Sequence, residues 1–356
     1  MYMKAEPDEA WEKLRASRAN PPGKASSGTR RRTYAAALEQ AEQMFRAAAV
    51  VGPATRPLQV FYGLSQAGRA IAAAAVALKG EDWRLEGHGI RASGFDKPFT
   101  EIEIRTGPAT SRSSFVRLSH LLDSPVWAKD VVRLEDLWDM LSVNLEYPLT
   151  DRNRHPALYT DDDSIHGDPH PQLHVPVCDI PDWVIDDGSR RTVDAFFAKY
   201  PGLAQHHEYV RRTPHPEGPP DFTRYDHGGG ELLVSWLMPH GNAPVEERRE
   251  HLRGLSRSHG DSRWFLPAIE PTGREPHLLM VWWSVVYTLS MLARYDPAAW
   301  AGLISVDGSR HAVPIEGVLK RAIGFLPSLI LCIVGEVSDA ADSEPVSRSQ
   351  HPLKQK

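Results

Sequence analysis

The uncharged run at 278–292 constrains the fold more than any other stretch of the chain. Apolar residues fall on every side of a helical projection of this run, and such a helix is buried in a protein core or a bilayer. A membrane span needs about 20 apolar residues, and Arg294 cuts the run short. Asp296 and Pro297 then predict the N-cap and first residue of a new helix. The pattern predicts a buried central helix, a corner and a second short helix.

The composition is typical of a soluble globular protein. The 356 residues suffice for a substantial core, with an apolar fraction of 41% and a charged fraction of 24%. The net charge of −5 does not favour RNA or an anionic membrane as partner, although a local basic patch is compatible with RNA. Because the two cysteines are far apart and the N-terminus has no apolar signal core, a cytoplasmic location without membrane attachment is expected.

Helical periodicity extends over three further segments. Helices are predicted at 33–51, 57–79 and 314–336, and together with the central helix at 277–295 they are expected to pack as one helical bundle core. Between 83 and 122 the pattern changes to short alternation, which is typical of a small antiparallel sheet. The predicted fold class is mainly α with a small antiparallel β insertion, that is, α+β.

Composition shifts divide the chain into five predicted segments. They are an N-terminal arm (1–28), an N-terminal helical part (29–80), a β-containing insertion with an irregular Pro/His/Asp-rich loop (81–188), a C-terminal helical part (189–337) and a disordered tail (338–356). Within the insertion, SFVRLSHLL (114–122) is expected to form a strand. LHVPVCDI (173–180) is expected to form an edge strand because of its prolines. Pro327 is expected to begin a separate apolar segment.

Two of the predicted helices carry the same pattern, Tyr-x-Leu-Ser-x-x-x-Arg. In each, the tyrosine and the arginine fall on one broad face about two turns apart. The pattern defines a candidate polar centre comprising Tyr62, Ser65, Arg69, Tyr287, Ser290 and Arg294. A buried guanidinium group needs a partner, and Glu39, Glu42 and Glu316 are the internal candidates. If either arginine faces an open pocket instead, phosphate or nucleic acid becomes the expected ligand. Duplication and chance both explain the repeated pattern.

Two other patterns leave catalysis open. GLSQA, with Ser65 at its centre, differs by its last residue from the G-x-S-x-G nucleophile elbow, but the parallel strands that an elbow needs are not predicted before it. The alternative is a buried serine bonded to its own helix. His166, His170 and His174 are equally spaced near several aspartates, yet the intervening prolines prevent a helix. A metal site would need loop geometry, and a polar surface loop is the alternative, so neither metal nor cofactor is predicted.

Two long patterns carry a resemblance to a known family. NPPGKASSGTRRRTYAAALEQAEQMFRAA, followed by RPLQVFYGLSQAGRAI and GHGI, resembles the YaaC-like protein family of bacteria. LLMVWWSVVYTLSMLARYDPAAW, followed by HAVPIE, resembles the C-terminal part of that family. The resemblance covers most of residues 20–335. It implies a mainly helical cytoplasmic protein, and it brings no established activity and no catalytic residues.

A looser likeness concerns FYGLSQAGRAI, which is similar to the tyrosine-rich helix of HEPN domains. These four-helix bundles occur in toxin and defence ribonucleases, which use an Arg and a His a few residues apart in one helix to bind phosphate and move a proton. The candidate pairs here are Arg253 with His259 and Arg112 with His120. The first pair extends past a predicted helix end, and the second lies on a predicted strand.

The preferred interpretation is therefore a protein that acts by binding or assembly rather than by catalysis. The first alternative is a HEPN-like RNA-binding protein or ribonuclease. The second is a hydrolase that uses Ser65 or the histidine-rich segment. The sequence identifies no partner, and a homo-oligomer is compatible with it.

Overall fold

The structure is a computed structural model that describes residues 7–144, 146–150, 153–210, 219–259 and 262–339. Its helices are α1 Pro7–Ser17, α2 Gly28–Val50, α3 Arg56–Ala74, α4 Ser114–Leu121, α5 Leu134–Asp139, α6 Asp182–Asp187, α7 Arg190–Phe197, α8 Val245–Leu255, α9 Leu278–Tyr295, α10 Pro297–Leu303 and α11 Ala312–Asp339. Its strands are β1 Ile90–Ser93, β2 Glu103–Thr106, β3 Val132–Arg133, β4 Leu158–Thr160, β5 Gln172–Ile180, β6 Glu208–Tyr209, β7 Thr223–Arg224, β8 Gly230–Leu237, β9 Arg257–His259 and β10 Ser262–Phe265. The predicted mainly helical α+β class is confirmed. The first six residues of the predicted arm, and the predicted tail from 340 onwards, lie outside the described residues.

The first core is built by helices from both ends of the chain. Helix α3 packs against α2, α9 and α11, and every residue of α9 from Leu278 to Leu292 is buried. Trp282 and Trp283 are 1% and 0% exposed. The predicted buried central helix is therefore correct, because a helix that is apolar on all sides needs neighbours on all sides. The three-stranded antiparallel sheet β1-β2-β3 belongs to the same core through Ile90 and Ile104.

The second core surrounds an antiparallel sheet of seven strands. The strand order is β6-β8-β5-β4-β10-β9, with β7 also paired to β8. Its buried apolar residues come from 158–265 and include residues of α6, α7 and α8. The first core draws its buried residues from 11–149 and 269–337. The five-segment division remains a prediction. The buried residues form two groups, one drawn from both ends of the chain and the other from its middle.

Three local predictions were wrong. The segment predicted as a strand at 114–122 forms α4, and its buried residues Phe115, Leu118 and Ser119 follow a helical period. The predicted edge strand at 173–180 is internal, between β8 and β4. The sheet tolerates Pro176 because β4 pairs with β5 at Cys178 and ends before it would reach residue 176.

The third error concerns Pro327, which lies inside the continuous helix α11 rather than at the start of a new segment. Proline in a helix interior costs about 3 kcal/mol or more. Leu326, Leu329 and Ile330 beside it are at most 2% exposed. Burial of both flanks in one core offsets that cost.

Among the described residues, two helices, α9 and α11, are long and apolar enough to cross a membrane by length and composition. The most apolar 18-residue window of α9 is 83% buried inside the protein, and that of α11 is 50% buried. The surroundings of α9 are therefore those of a core helix.

Candidate functional site: an arginine centre on α3 and α9

The two copies of the Tyr-x-Leu-Ser-x-x-x-Arg pattern lie on α3 and α9, which run antiparallel. The ring of Phe61 packs edge-on against Tyr287, with centroids 5.3 Å apart. At the other end of this helix pair, Gly68 lies against Trp283. Nη1 of Arg294 donates a hydrogen bond of 2.7 Å to the hydroxyl oxygen of Tyr62. The tyrosine of the first copy thus meets the arginine of the second.

The opposite pair does not repeat this arrangement. Nη1 of Arg69 donates to the carbonyl oxygen of Leu85 at 3.3 Å, whereas Tyr287 packs against Phe61 and His88. Within the described part of the chain, no hydrogen bond joins Tyr287 to Arg69. The two copies therefore meet asymmetrically, and duplication and chance both remain explanations of the repeated pattern.

His88 lies among these side chains, although no sequence pattern points to it. Its ring is 5.4 Å from that of Phe61 and 5.9 Å from that of Tyr287. Burial against these rings lowers the pKa of His88, and the positive charges of Arg294 and Arg69 lower it further. The imidazole is therefore neutral at pH 7 and can both donate and accept a hydrogen bond. We call Tyr62, Arg69, His88, Tyr287 and Arg294 the arginine centre.

A tight turn positions His88 over α3 and α9. Gly87 and Gly89 on either side of it have φ angles of +53° and +72°, which glycine adopts more easily than other residues. A Cβ atom on Gly89 would lie 2.0 Å from Oγ of Ser113. These requirements explain the GHGI segment. They do not reveal the role of His88, since its neighbours come from distant parts of the chain.

The predicted carboxylate partners of the two arginines bind elsewhere. Glu39 pairs with Arg18 at 2.6 Å, and Glu42 pairs with Arg15 and Arg46. Glu316 is exposed on α11. Among the described residues, neither arginine of the centre has a carboxylate oxygen within 4.0 Å. The prediction of internal partners was therefore wrong.

Arg69 also lines an open pocket of about 320 Å³, whose other lining residues are Thr29, Thr33, Trp83, Arg84 and Leu85. The Arg84 guanidinium group lies over the Trp83 ring and pairs with Glu81. Nε of Arg69 is buried without a hydrogen-bond partner among the described residues. The guanidinium group of Arg69 and the hydroxyl groups of Thr29 and Thr33 provide donors suited to an oxyanion around this pocket.

Both serines of the repeated pattern lie within helices. Ser65 is 8% exposed in the middle of α3, and the residues before it are helical rather than a strand. A nucleophile elbow requires a strand-to-helix turn, which this position lacks. Ser290 is fully buried and donates to the carbonyl oxygen of Tyr287 at 2.7 Å.

The two candidate Arg-His pairs do not lie within single helices. Arg253 is on α8, where it pairs with Glu246 and Glu250 at 3.0 and 3.1 Å. His259 is on β9, and its side chain lies outside what the structure describes.

In the second pair, Arg112 precedes α4 and lies 4.0 Å from Glu86. His120 is on α4 and lines a separate pocket with Asp123 and Arg274. The helical arrangement expected of a HEPN-like pair is therefore absent at both described positions.

The structure brings two of the three candidate metal-binding histidines together. The rings of His170 and His174 are 5.1 Å apart, and both hydrogen-bond to Gln172. His166 contributes a backbone carbonyl oxygen to Arg248. In the described part of the chain, no group of three metal-ligating side chains occurs.

The fold and the centre together define a mainly helical α+β protein with unpaired arginines beside its central helix. The chain belongs to the YaaC-like family, because the family model described as YaaC-like Protein matches residues 3–334. No curated protein and no solved structure matches the chain. The likeness to HEPN domains is not shown by these comparisons.

Proposed function

We propose that this chain is a binding protein for a phosphate-bearing ligand, which is held at the arginine centre. The observation that carries the proposal is that Arg69 and Arg294 have no counter-charge within the described part of the chain. Both lack a carboxylate partner among the described residues, and Arg69 faces an open pocket. The guanidinium group of Arg69 is partly buried without a counter-charge from these residues, which is costly, and an anion would remove that cost. Arg294 is exposed and would add a second guanidinium donor to the same anion.

Other arginines near the cores support this interpretation by contrast. Arg154 pairs with Asp139 at 2.8 Å, and Arg257 pairs with Glu275 at 2.9 Å. The protein thus supplies carboxylates to these two arginines, whereas the buried Arg248 bonds to the backbone carbonyl oxygens of His166 and Asp168. Arg69 differs from Arg248 in that it also lines an open pocket, where an external anion has access to it.

The centre offers complementary donors to a phosphate group. The planar guanidinium fork matches two phosphate oxygens at once. Tyr62 accepts a hydrogen bond from Arg294, which leaves its own hydroxyl hydrogen available to an anion. Neutral His88 can donate directly or take up a proton when a negative charge arrives.

Calorimetric titration with inorganic pyrophosphate tests the proposal. We expect Arg69→Met and Arg294→Met each to weaken binding about tenfold or more, since a charged hydrogen bond contributes about 1.5–3 kcal/mol. Arg191→Met is the matched control, because Arg191 is exposed on α7, away from the centre. Unchanged melting temperatures would show that the loss is one of binding. Absence of pyrophosphate binding by the unmodified chain, or loss of folding in both variants, would overturn the proposal.

A further inference from the structure

We infer that the ligand of the arginine centre is single-stranded nucleic acid, whose backbone continues from the centre onto Arg91 and Arg105. This inference rests on the proposed function and extends it from a phosphate group to a polymer. We call the arginine centre together with Arg91, Arg105 and Tyr295 the basic surface.

Arg91 and Arg105 form a pair of like charges. They lie directly opposite each other in the β1–β2 register, and both are exposed. Like charges in this arrangement are destabilising. In the described residues neither has a carboxylate oxygen within 4.0 Å, and the neighbouring Glu103 pairs with Lys97. A bound polyanion would relieve the repulsion.

This pair is continuous with the arginine centre. Strand β1 packs against α9. Arg91 follows Ile90, which is buried in the same core as α9, so Arg91 lies where β1 meets the surface beside that helix. Burial raises the pKa of Tyr287, and the positive charge of Arg91 opposes that shift. The positive charges of Arg69 and Arg294 lower the pKa of His88, and the ring of His88 lies against that of Tyr287.

The extent of this surface favours a polymer over a single phosphate. Tyr62, which holds Arg294, and Arg69 are seven positions apart on α3, or about 10 Å along the helix axis. The oxygens of one phosphate group cannot satisfy four guanidinium groups spread over α3, α9 and the paired strands β1 and β2. Successive phosphates of one strand can.

An exposed aromatic ring favours a single strand over a duplex. Tyr295 is 65% exposed, and the guanidinium group of Arg294 lies 5.1 Å from its ring centroid. Bases stack on such rings in single-strand binding surfaces, while the bases of a duplex are already stacked on one another. The chain as a whole has a net charge of −5, so the attraction of a polyanion is confined to this surface and is sensitive to salt.

Fluorescence anisotropy with labelled oligo(U) and oligo(dT) of about 12 nucleotides tests the inference on the full chain. We expect binding that weakens about tenfold or more in the double variant R91M/R105M. The slope of log affinity against log salt should fall by about 0.7 for each phosphate that the variant no longer neutralises. Tyr295→Ala should weaken binding without changing that slope, and Arg191→Met should change neither. A comparison of oligo(U) with oligo(dU), which differ only in the 2′-hydroxyl group, identifies the sugar.

Binding measurements with a duplex, with lipid vesicles and with pyrophosphate distinguish the competing outcomes. Equal binding of a duplex of the same length would overturn the single-strand assignment. Binding to phosphatidylserine vesicles but not to oligonucleotides would overturn the inference and assign the surface to lipid headgroups. Pyrophosphate binding without oligonucleotide binding would overturn the inference and leave the proposed function standing. Binding to neither would overturn both.

Discussion

The guanidinium group of Arg294 donates to the phenol of Tyr62 across 2.7 Å, joining residues 232 positions apart in the chain. The arginine centre is therefore assembled only when the N-terminal and C-terminal helices have packed together. The same bond holds Arg294 at the surface between α3 and α9, where its exposed side chain would otherwise be free to move.

This bond makes Tyr62→Phe informative. We expect the variant to bind pyrophosphate about two- to tenfold more weakly, because Arg294 loses its orientation and the ligand loses a donor. The melting temperature should change little, since Tyr62 is only partly buried. Tyr225→Phe removes a partly buried phenol that bonds to Glu231 of β8, and it serves as the control. Unchanged pyrophosphate affinity in Tyr62→Phe would exclude Tyr62 from the site.

The tryptophans of α9 should dominate the stability of the first core. Trp283 packs edge-on near Phe61, and Trp282 lies 5.8 Å from the ring of Phe325. Replacing either by Ala should lower the free energy of unfolding by about 3–5 kcal/mol, measured by urea denaturation. Val50→Ala, at a position that is 84% exposed, should change it by about 0.5 kcal/mol or less. A tryptophan variant with control-like stability would contradict the buried position of α9.

Gly68→Ala tests how closely α3 approaches its neighbours. Alanine favours a helix interior by about 1 kcal/mol over glycine, so propensity alone predicts stabilisation. A Cβ atom at this position would lie 2.7 Å from Leu118 and 2.8 Å from Trp283. Overpacking of this kind costs about 1–3 kcal/mol, and we expect a net decrease in the free energy of unfolding.

Gly302→Ala is the control for this substitution, because Gly302 lies in α10 with open space around it. It should be neutral or stabilising. Stabilisation by Gly68→Ala as well would mean that α3 and α9 are farther apart than the distances at Gly68 indicate.

Local patterns predicted the parts of the fold that depend on nearby residues. The absence of charge across 278–292 identified α9, and Asp296 caps α10 by accepting a hydrogen bond from the backbone of Ala299. The second core was not predictable in this way. Its sheet pairs β5 with β8 and β4 with β10 across long sequence separations, and single strands carry no information about their partners.

Only the part of the candidate site that depends on nearby residues was predicted. The repeated pattern identified Tyr62 and Arg294 because both lie on helices that local sequence predicts. His88 and the pair of Arg91 and Arg105 were missed, since their importance arises from neighbours in space. A histidine in a glycine-rich turn and two arginines on short strands are common in any sequence.

His155 in the second core gives a prediction on pH dependence. Its ring is stacked on Phe196 at 5.4 Å and lies edge-on to Trp183 at 5.9 Å. Burial, helped by the charge of Lys199, lowers the pKa of His155 from 6.5 to about 4. Between these values the unfolded chain takes up a proton that the folded chain does not, so this residue makes stability fall as pH drops from about 6.5 towards 4.

His155→Phe should remove this sensitivity while keeping an aromatic ring in the same space. Lowering the pH from 7.5 to 5 should cost the unmodified chain about 2 kcal/mol more than the variant, measured by urea denaturation at both values. His227→Phe is the control, because His227 is exposed and stacks on Tyr225 at the surface. The comparison between variants is needed because burial also raises the pKa of Asp139 to about 6, which changes stability in the opposite direction over the same range. An identical pH dependence with and without His155 would mean that its imidazole is protonated in the folded protein as readily as in the unfolded chain.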